Sequence, residues 1–296
     1  MATIARRLVP SEEGAAVPFQ IGVTVTAGQT FTLPIADYGA LVPNFVVNWG
    51  DGNEGTVTSS TDANRIHTYA SSGTYTITIS GLMPSFKVNN NLAIRLLITS
   101  IIDFGRVGLR LLDFYGCSSI TSIPASGTMA AGYQGLNEIV SFAGFMRGTS
   151  ISTIPSDLFQ YATRVSVFSD IFSFTTITSI PSGLFDNCTD ATSFASAFNQ
   201  CTSLSSYPSD LFDNCPNVVN FSSTFRNCRS LTAPLQFTNN TLVTVFTNVY
   251  NMLSSTNSMA GTAPSIWLRV PTPIGTDAFN NCFGLSNYAA IPSNFK

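Results

Sequence analysis

Charged side chains are scarce in this 296-residue chain: Asp, Glu, Lys and Arg make up 10% of it, against about 25% in typical globular domains. Lys87 and Lys296 are the only lysines and the formal net charge is −3, so a basic surface for nucleic acid is not expected. The most apolar stretch, residues 92–104, is broken by Arg95 and Asp103, and it falls short of the roughly 20 apolar residues that span a membrane. We therefore expect no nucleic-acid partner and no membrane insertion.

Histidine is almost absent too, which argues against an active site. His67 is the only one, and a serine- or cysteine-based triad needs a histidine as its base. Single acids recur at matching repeat positions, where we expect them to cap short helices: Asp157, Asp186, Asp210 and Asp213. A calcium site at Asp51 and Glu54 is a minor alternative, because a cage needs about six to eight oxygens. We predict no enzyme activity, and no catalytic, cofactor-binding or metal-binding residues.

What is present, in residues 17–83, is the alternating pattern of β-strands. Short apolar runs occur at residues 30–33, 45–49 and 74–79, with turn residues between them. In the last run Tyr75, Ile77 and Ile79 share one face, which is typical of a strand buried on one side. These runs predict an antiparallel β-sandwich.

Two motifs in this segment resemble the PKD family of immunoglobulin-like domains. The signature residues are Trp49, Gly50, Asp51, Gly52, His67, Tyr69 and Tyr75. The glycines permit a tight turn, Asp51 can accept hydrogen bonds from turn amides, and Trp49 supplies core bulk. We expect His67 to make a structural hydrogen bond. The resemblance implies that residues 17–83 are a spacer or binding module.

Residues 84–296 carry an internal repeat. Pro181 and Pro208, 27 residues apart, mark its two clearest copies, and weaker copies have prolines at Pro124, Pro155, Pro234, Pro264 and Pro292. Roughly seven units fit between residues 90 and 296. One unit of this length cannot bury its own apolar side chains, so we expect the units to stack.

Each clear copy has two phenylalanines four residues apart, followed by a cysteine and a leucine: Phe194, Phe198, Cys201 and Leu204, then Phe221, Phe225, Cys228 and Leu231. The spacing predicts a short helix with both rings on one face, followed by a short strand. The motif resembles BspA-like leucine-rich repeats. The predicted fold class is therefore multidomain, β plus α/β: an immunoglobulin-like β-sandwich (17–83) followed by a leucine-rich-repeat solenoid (84–296).

The cysteines follow the same repeat. Cys117, Cys201, Cys228 and Cys282 share one repeat position, while Cys188 and Cys215 share another. No pair has the Cys-x-x-Cys spacing of a zinc site. We expect buried free thiols that act as small apolar side chains, and disulfides between repeats are the alternative.

The two ends of the chain suggest contacts with other molecules. Residues 1–16 show no apolar export segment, and their charged side chains are candidates for attachment to a larger particle: Arg6, Arg7, Glu12 and Glu13. A disordered tail is the alternative. The last repeat, ending at residues 291–296, has no evident polar cap, so we expect another subunit, including a second copy of this chain, to cover it, or the edge to be the functional tip.

Two function classes fit these features. The PKD resemblance, in a chain without an export segment, implies a structural protein of a bacteriophage virion, either a capsid decoration or a fibre subunit. It would assemble in the host cytoplasm and contact capsid or tail proteins and a host-surface protein or glycan. The alternative is a BspA-like adhesin of the bacterial cell surface, which requires export and anchoring.

Overall fold

The structure is a computed structural model that describes residues 17–89, 91–125, 134–252 and 257–296. The candidate attachment residues Arg6, Arg7, Glu12 and Glu13 lie outside the described residues.

Strands dominate the described residues up to position 113. They are β1 (Phe19–Val25), β2 (Thr30–Thr32), β3 (Asn44–Asn48), β4 (Glu54–Val57), β5 (Ile66–Thr68), β6 (Gly73–Leu82), β7 (Ser85–Lys87), β8 (Ile98–Asp103) and β9 (Leu111–Asp113). One short α-helix, α1 (Leu92–Arg95), lies between β7 and β8. Short 3-10 helices occupy Ala63–Arg65, Gln134–Leu136, Ile266–Leu268, Tyr288–Ala290 and Ser293–Phe295.

The main sheet has five antiparallel strands in the order β4-β3-β6-β1-β8. Alternate side chains of β3 are buried, Phe45 and Val47 among them, as the period of a half-buried strand requires. A two-stranded sheet of β2 and β5 adds Phe31, whose ring contacts that of Trp49. The β content of residues 17–83 is thus consistent with the β fold predicted there, and the sheet also takes in β8, beyond residue 83.

Beyond the main sheet, parallel pairing links each repeat to the next. β7 pairs with β9 in parallel register, and isolated parallel bridges continue the series from Leu111 through Ser141, Val167, Ser193, Asn220 and Val245 to Ile274. We call residues 111–296 the repeat stack. Its consecutive bridge residues are about one repeat apart, so the copies lie on top of one another.

The predicted leucine-rich-repeat solenoid of the α/β class is wrong. The chain is mostly sheet with few helices, and in the described part of the repeat stack the copies are joined by single bridge residues instead of continuous strands. The segment between Phe194 and Phe198 is a turn, not a helix. Ser196 and Gln200 have φ angles of 57° and 63°, and a left-handed residue interrupts a right-handed helix.

Left-handed residues recur at two positions of the repeat, in six copies at the first position and in five at the second, which explains why the helix prediction fails in these copies. One series comprises Gly144, Asp170, Ser196, Ser223, Asn248 and Asp277; the second comprises Gly148, Phe174, Gln200, Asn227 and Asn281. The four-residue spacing of the phenylalanines is therefore produced by a compact turn that also brings both rings inward.

Aromatic rings fill the interior of the repeat stack in columns. Phe142, Phe168, Phe194, Phe221 and Phe246 form one column, with 5.0–6.1 Å between neighbouring ring centroids. Phe172, Phe198, Phe225, Tyr250 and Phe279 form a second column at 5.4–5.9 Å. These rings are all buried, so stacking of the copies supplies the apolar burial that holds the array together.

Candidate functional site

The predicted signature residues meet at one end of the main sheet. The imidazole of His67 stacks on the indole of Trp49 with 5.0 Å between centroids, and the ring of Tyr69 meets the imidazole edge-on at 4.6 Å. Tyr69 donates its hydroxyl hydrogen to the carbonyl of Trp49 at 3.0 Å, and its ring stacks on Tyr75. Burial raises the pKa of Tyr69, so this hydroxyl stays protonated.

Asp51 ties the turn after β3 to β5. Its Oδ2 accepts a hydrogen bond from Nε2 of His67 at 2.7 Å, and its Oδ1 accepts one from the backbone N–H of Asn53 at 3.1 Å. Burial works to raise the pKa of Asp51, but the hydrogen bonds from His67 and Asn53 outweigh it and leave that pKa below its ordinary value. Gly50 has a φ of +84°, and a Cβ there would lie 2.6 Å from the carbonyl oxygen of Thr76. The arrangement fixes a turn and its flanking strands.

The predicted repeat-core residues are all buried. The thiols of Cys201 and Cys228 donate hydrogen bonds to the carbonyls of Phe172 and Phe198, at 3.1 Å and 3.0 Å, one repeat earlier. All six cysteines are free and buried. Burial raises the pKa of Cys201 to about 11, so the thiol is protonated at neutral pH and acts as a core side chain.

A cleft of about 390 Å³ lies where α1 faces the first copies of the repeat stack. The side chain of Asn91 accepts a hydrogen bond from the backbone N–H of Ala93 at 3.1 Å and caps the start of α1. This single helical turn ends at Arg95. Leu92 and Leu96 are 63% and 60% exposed on either side of that arginine. Leu96 lines the cleft beside Arg95, so one wall combines a cation with an apolar side chain.

Two glycines of successive repeats form the floor of the cleft. The backbone N–H of Gly116 donates to the carbonyl of Arg147 at 2.7 Å, and that of Gly148 donates to the carbonyl of Ser173 at 2.9 Å. Both glycines have positive φ angles, 73° and 69°. A Cβ on Gly148 would find no atom nearer than 3.6 Å, so the cleft stays open there, whereas a Cβ on Gly116 would lie 3.0 Å from Nη1 of Arg95, whose side chain lies over that glycine.

Phe174 forms the opposite wall, at the repeat position occupied elsewhere by Gly148, Gln200, Asn227, Met252 and Asn281. Its φ of 60° lies in the left-handed region, which costs a bulky residue about 1–2 kcal/mol. Its ring is nevertheless 48% exposed. The strained backbone at Phe174 thus places an aromatic ring at the solvent-exposed surface instead of in the core.

Arg147 lies between two rings at the edge of the cleft. Its guanidinium carbon is 5.2 Å from the centroid of Tyr115 and 5.2 Å from that of Phe174, and its Nη1 lies 2.7 Å from Oδ1 of Asp170. Arg95 has no ion pair within the described ranges. The cleft therefore carries two guanidinium groups and one neighbouring carboxylate.

Sequence reasoning missed the cleft, because its residues belong to no motif. Arg95 lies in α1, which precedes the repeat stack, and Tyr115, Arg147 and Phe174 come from three successive copies. One signal was available: Phe174 is 26 residues after Gly148 and 26 before Gln200, so an alignment of the copies puts a phenylalanine where most other copies have a small or amide residue, Met252 being the exception.

The described residues contain a second groove, but neither a metal-binding cluster nor a membrane-spanning helix. No group of three or more His, Cys, Asp and Glu side chains in this part of the chain could hold a metal ion. In the same ranges, no helix has the length and apolar character needed to cross a membrane. A second, polar groove of about 490 Å³ lies near Arg229 and Ser230.

Comparison with known proteins gives little further information. No protein-family model matches the chain, and no curated protein matches it. Among solved structures, the crystal structure of a TLR13-ssRNA13 complex is similar to 60% of this chain at 13% identity, with a TM-score of 0.22. The chain spans 32% of the length of that structure's chain.

Proposed function

We propose that this chain is a non-enzymatic structural and adhesive protein of a bacteriophage virion, a capsid decoration or fibre subunit. The observation that carries the proposal is the signature cluster. Trp49, Asp51, His67 and Tyr69, four of the residues that carry the PKD resemblance, meet in a β fold through hydrogen bonds and ring contacts. A domain of that kind serves as a spacer or a binding module.

The repeat stack supports the adhesive part of the proposal. Its rungs from β7 to Ile274 are linked by seven parallel pairings, and at about 4.8 Å per pairing they span roughly 34 Å. Hydroxyl side chains link neighbouring copies on its surface: Thr192 bonds to the Ser166 carbonyl, and Ser205 to that of Thr178. An elongated surface of this chemistry suits contact with a protein or a glycan.

Immunogold electron microscopy tests the proposal, with antibody to the recombinant chain applied to purified phage particles and to infected cells. Label on particles is expected, and its position distinguishes the head from the tail. Label on cell envelopes alone would contradict the virion assignment and favour the bacterial surface adhesin. A chain lacking residues 1–16 should fail to join particles if Arg6, Arg7, Glu12 and Glu13 mediate attachment.

A further inference from the structure

The cleft between α1 and Phe174 has properties that core packing does not explain. Phe174 adopts a left-handed backbone at a position where asparagine or glycine would be unstrained, and half of its ring faces solvent. Strain of this kind persists where the surrounding structure enforces it, and such residues cluster at ligand sites. The energetic cost of the left-handed backbone at Phe174 is therefore consistent with a ligand-binding role for its exposed ring.

The charge of the cleft points to an anionic ligand. Arg147 is held by Asp170 and by two rings, so its position is fixed. Arg95 lies across the glycine floor and, within the described ranges, makes no ion pair. A guanidinium group without a carboxylate partner offers two N–H groups in a plane, which matches the geometry of a carboxylate.

The shape and the remaining lining select the class of anion. The exposed ring of Phe174 and the side chain of Leu96 are apolar, whereas Ser118 adds a hydroxyl at the rim. A pyranose ring has an apolar face of C–H groups and a rim of hydroxyls, so it can contact both kinds of surface at once. The cleft, about 390 Å³, is at the small end of ligand sites. A peptide made only of acidic residues has no flat apolar ring to lay on Phe174.

We propose that this cleft binds an acidic saccharide unit, with the sugar face on Phe174 and Leu96 and the carboxylate on Arg95. Arg147 is a positioning residue, because its guanidinium carbon lies 5.2 Å from the centroid of the Phe174 ring and supports that ring. The inference rests on the adhesive part of the proposed function and names the ligand class of that contact. It does not depend on where the protein resides, so particle labelling and saccharide binding succeed or fail separately.

The test is isothermal titration calorimetry of the full chain with two acidic tetrasaccharides, one of alternating glucuronic acid and N-acetylglucosamine and one of galacturonic acid. At least one is expected to bind, and to bind more weakly when the salt concentration is raised. Chitotetraose, which is neutral, and tetraglutamate, which is acidic but not a sugar, are the ligand controls. Failure of both acidic tetrasaccharides, or equal binding of either control, would overturn the proposal.

Three variants locate the site on the protein. Arg95→Gln removes the free guanidinium, Phe174→Asn removes the ring, and Gly148→Asn fills the floor with a residue that Asn227 and Asn281 show to be accommodated at this repeat position. Each is expected to weaken binding at least about tenfold. Arg229→Gln, at an exposed arginine of the other groove, should leave binding unchanged.

Melting temperatures separate loss of the site from loss of the fold. Phe174→Asn relieves a strained backbone, so its melting temperature should be no lower than that of the wild type while binding is lost. Unchanged binding in all three cleft variants would overturn the placement of the site.

Discussion

The ring of Phe295 fills the space that Gly275 leaves at the end of the first ring column. Gly275 occupies the repeat position of Phe246 and Phe221, and a Cβ on it would overlap the Phe295 ring. The backbone N–H of Phe279 donates to the carbonyl of Phe295 at 2.8 Å, as Tyr250 donates to Ala278 one copy earlier. A segment of the same chain therefore packs on the last copy. The expectation that another subunit covers the edge formed by residues 291–296, or that this edge is the functional tip, stays a prediction.

Removal of this cover should destabilise the repeat stack. Phe295 is 2% exposed, so Phe295→Ala should lower the free energy of unfolding by about 3 kcal/mol through lost burial and an unfilled cavity. Urea unfolding followed by fluorescence measures the change. Phe283→Ala is the matched control, because Phe283 is 57% exposed and its loss should cost less than about 0.5 kcal/mol. Equal losses in the two variants would show that Phe295 is not a structural cover.

The pair of Asp51 and His67 should make stability depend on pH in the acid range. The folded-state pKa of Asp51 lies below its ordinary value, so the ionised carboxylate stabilises the folded state above the ordinary value of about 3.8. This contribution is lost as the pH falls through the lowered folded-state pKa. Asp51→Asn should therefore cost about 2 kcal/mol at pH 7 and less than that at pH 2.5.

Chemical denaturation of wild type and Asp51→Asn at both pH values measures this difference. Asp190→Asn serves as the control, since Asp190 is exposed and makes no ion pair or side-chain hydrogen bond within the described residues. If Asp51→Asn lowers the free energy of unfolding equally at pH 7 and pH 2.5, the ionised carboxylate is not the source of the loss.

The strands of residues 17–83 could be predicted because their signal is local. Alternation in β6 puts Ile77 and Ile79 on the buried face, and the turn at Gly50 needs a residue that tolerates a positive φ. The copies of the repeat were equally visible, because prolines and phenylalanines recur at nearly constant spacing. In both cases a short stretch of sequence shows which side chains must be buried, alternate ones in the strands and the recurring rings in the repeats.

The path of each repeat and the cleft could not be predicted in the same way. A Phe-x-x-x-Phe spacing suits a helix as well as the turn observed at Phe194 and Phe198, and only the left-handed angles at Ser196 and Gln200 decide between them. The cleft depends on tertiary structure, because Arg95 and Phe174 meet only after α1 has packed beside the first copies.

Burial of the thiols predicts slow cysteine chemistry in the native protein. Burial raises the pKa of Cys117, Cys215 and Cys282 to about 12, so almost no thiolate forms at pH 8. Iodoacetamide should leave all six cysteines unmodified in the folded chain and modify all six in guanidinium chloride without reductant, as mass spectrometry can count. A Ser286→Cys variant, at an exposed position, should gain one native-state adduct. Fewer than six adducts after unfolding would indicate disulfides.

The left-handed residues of the repeat stack predict an unusual response to glycine. Ser196 has a φ of 57°, a conformation that costs a residue with a side chain about 1–2 kcal/mol and glycine little. Ser196→Gly should therefore leave the free energy of unfolding unchanged or raise it by up to about 1 kcal/mol, because glycine's greater entropy loss offsets part of the relief. At Ser203, which is exposed and has no positive φ, the same substitution should cost about 0.5–1 kcal/mol. Thermal unfolding of the two variants measures the contrast, and a loss at Ser196 as large as at Ser203 would mean that the turn between the paired rings is not left-handed.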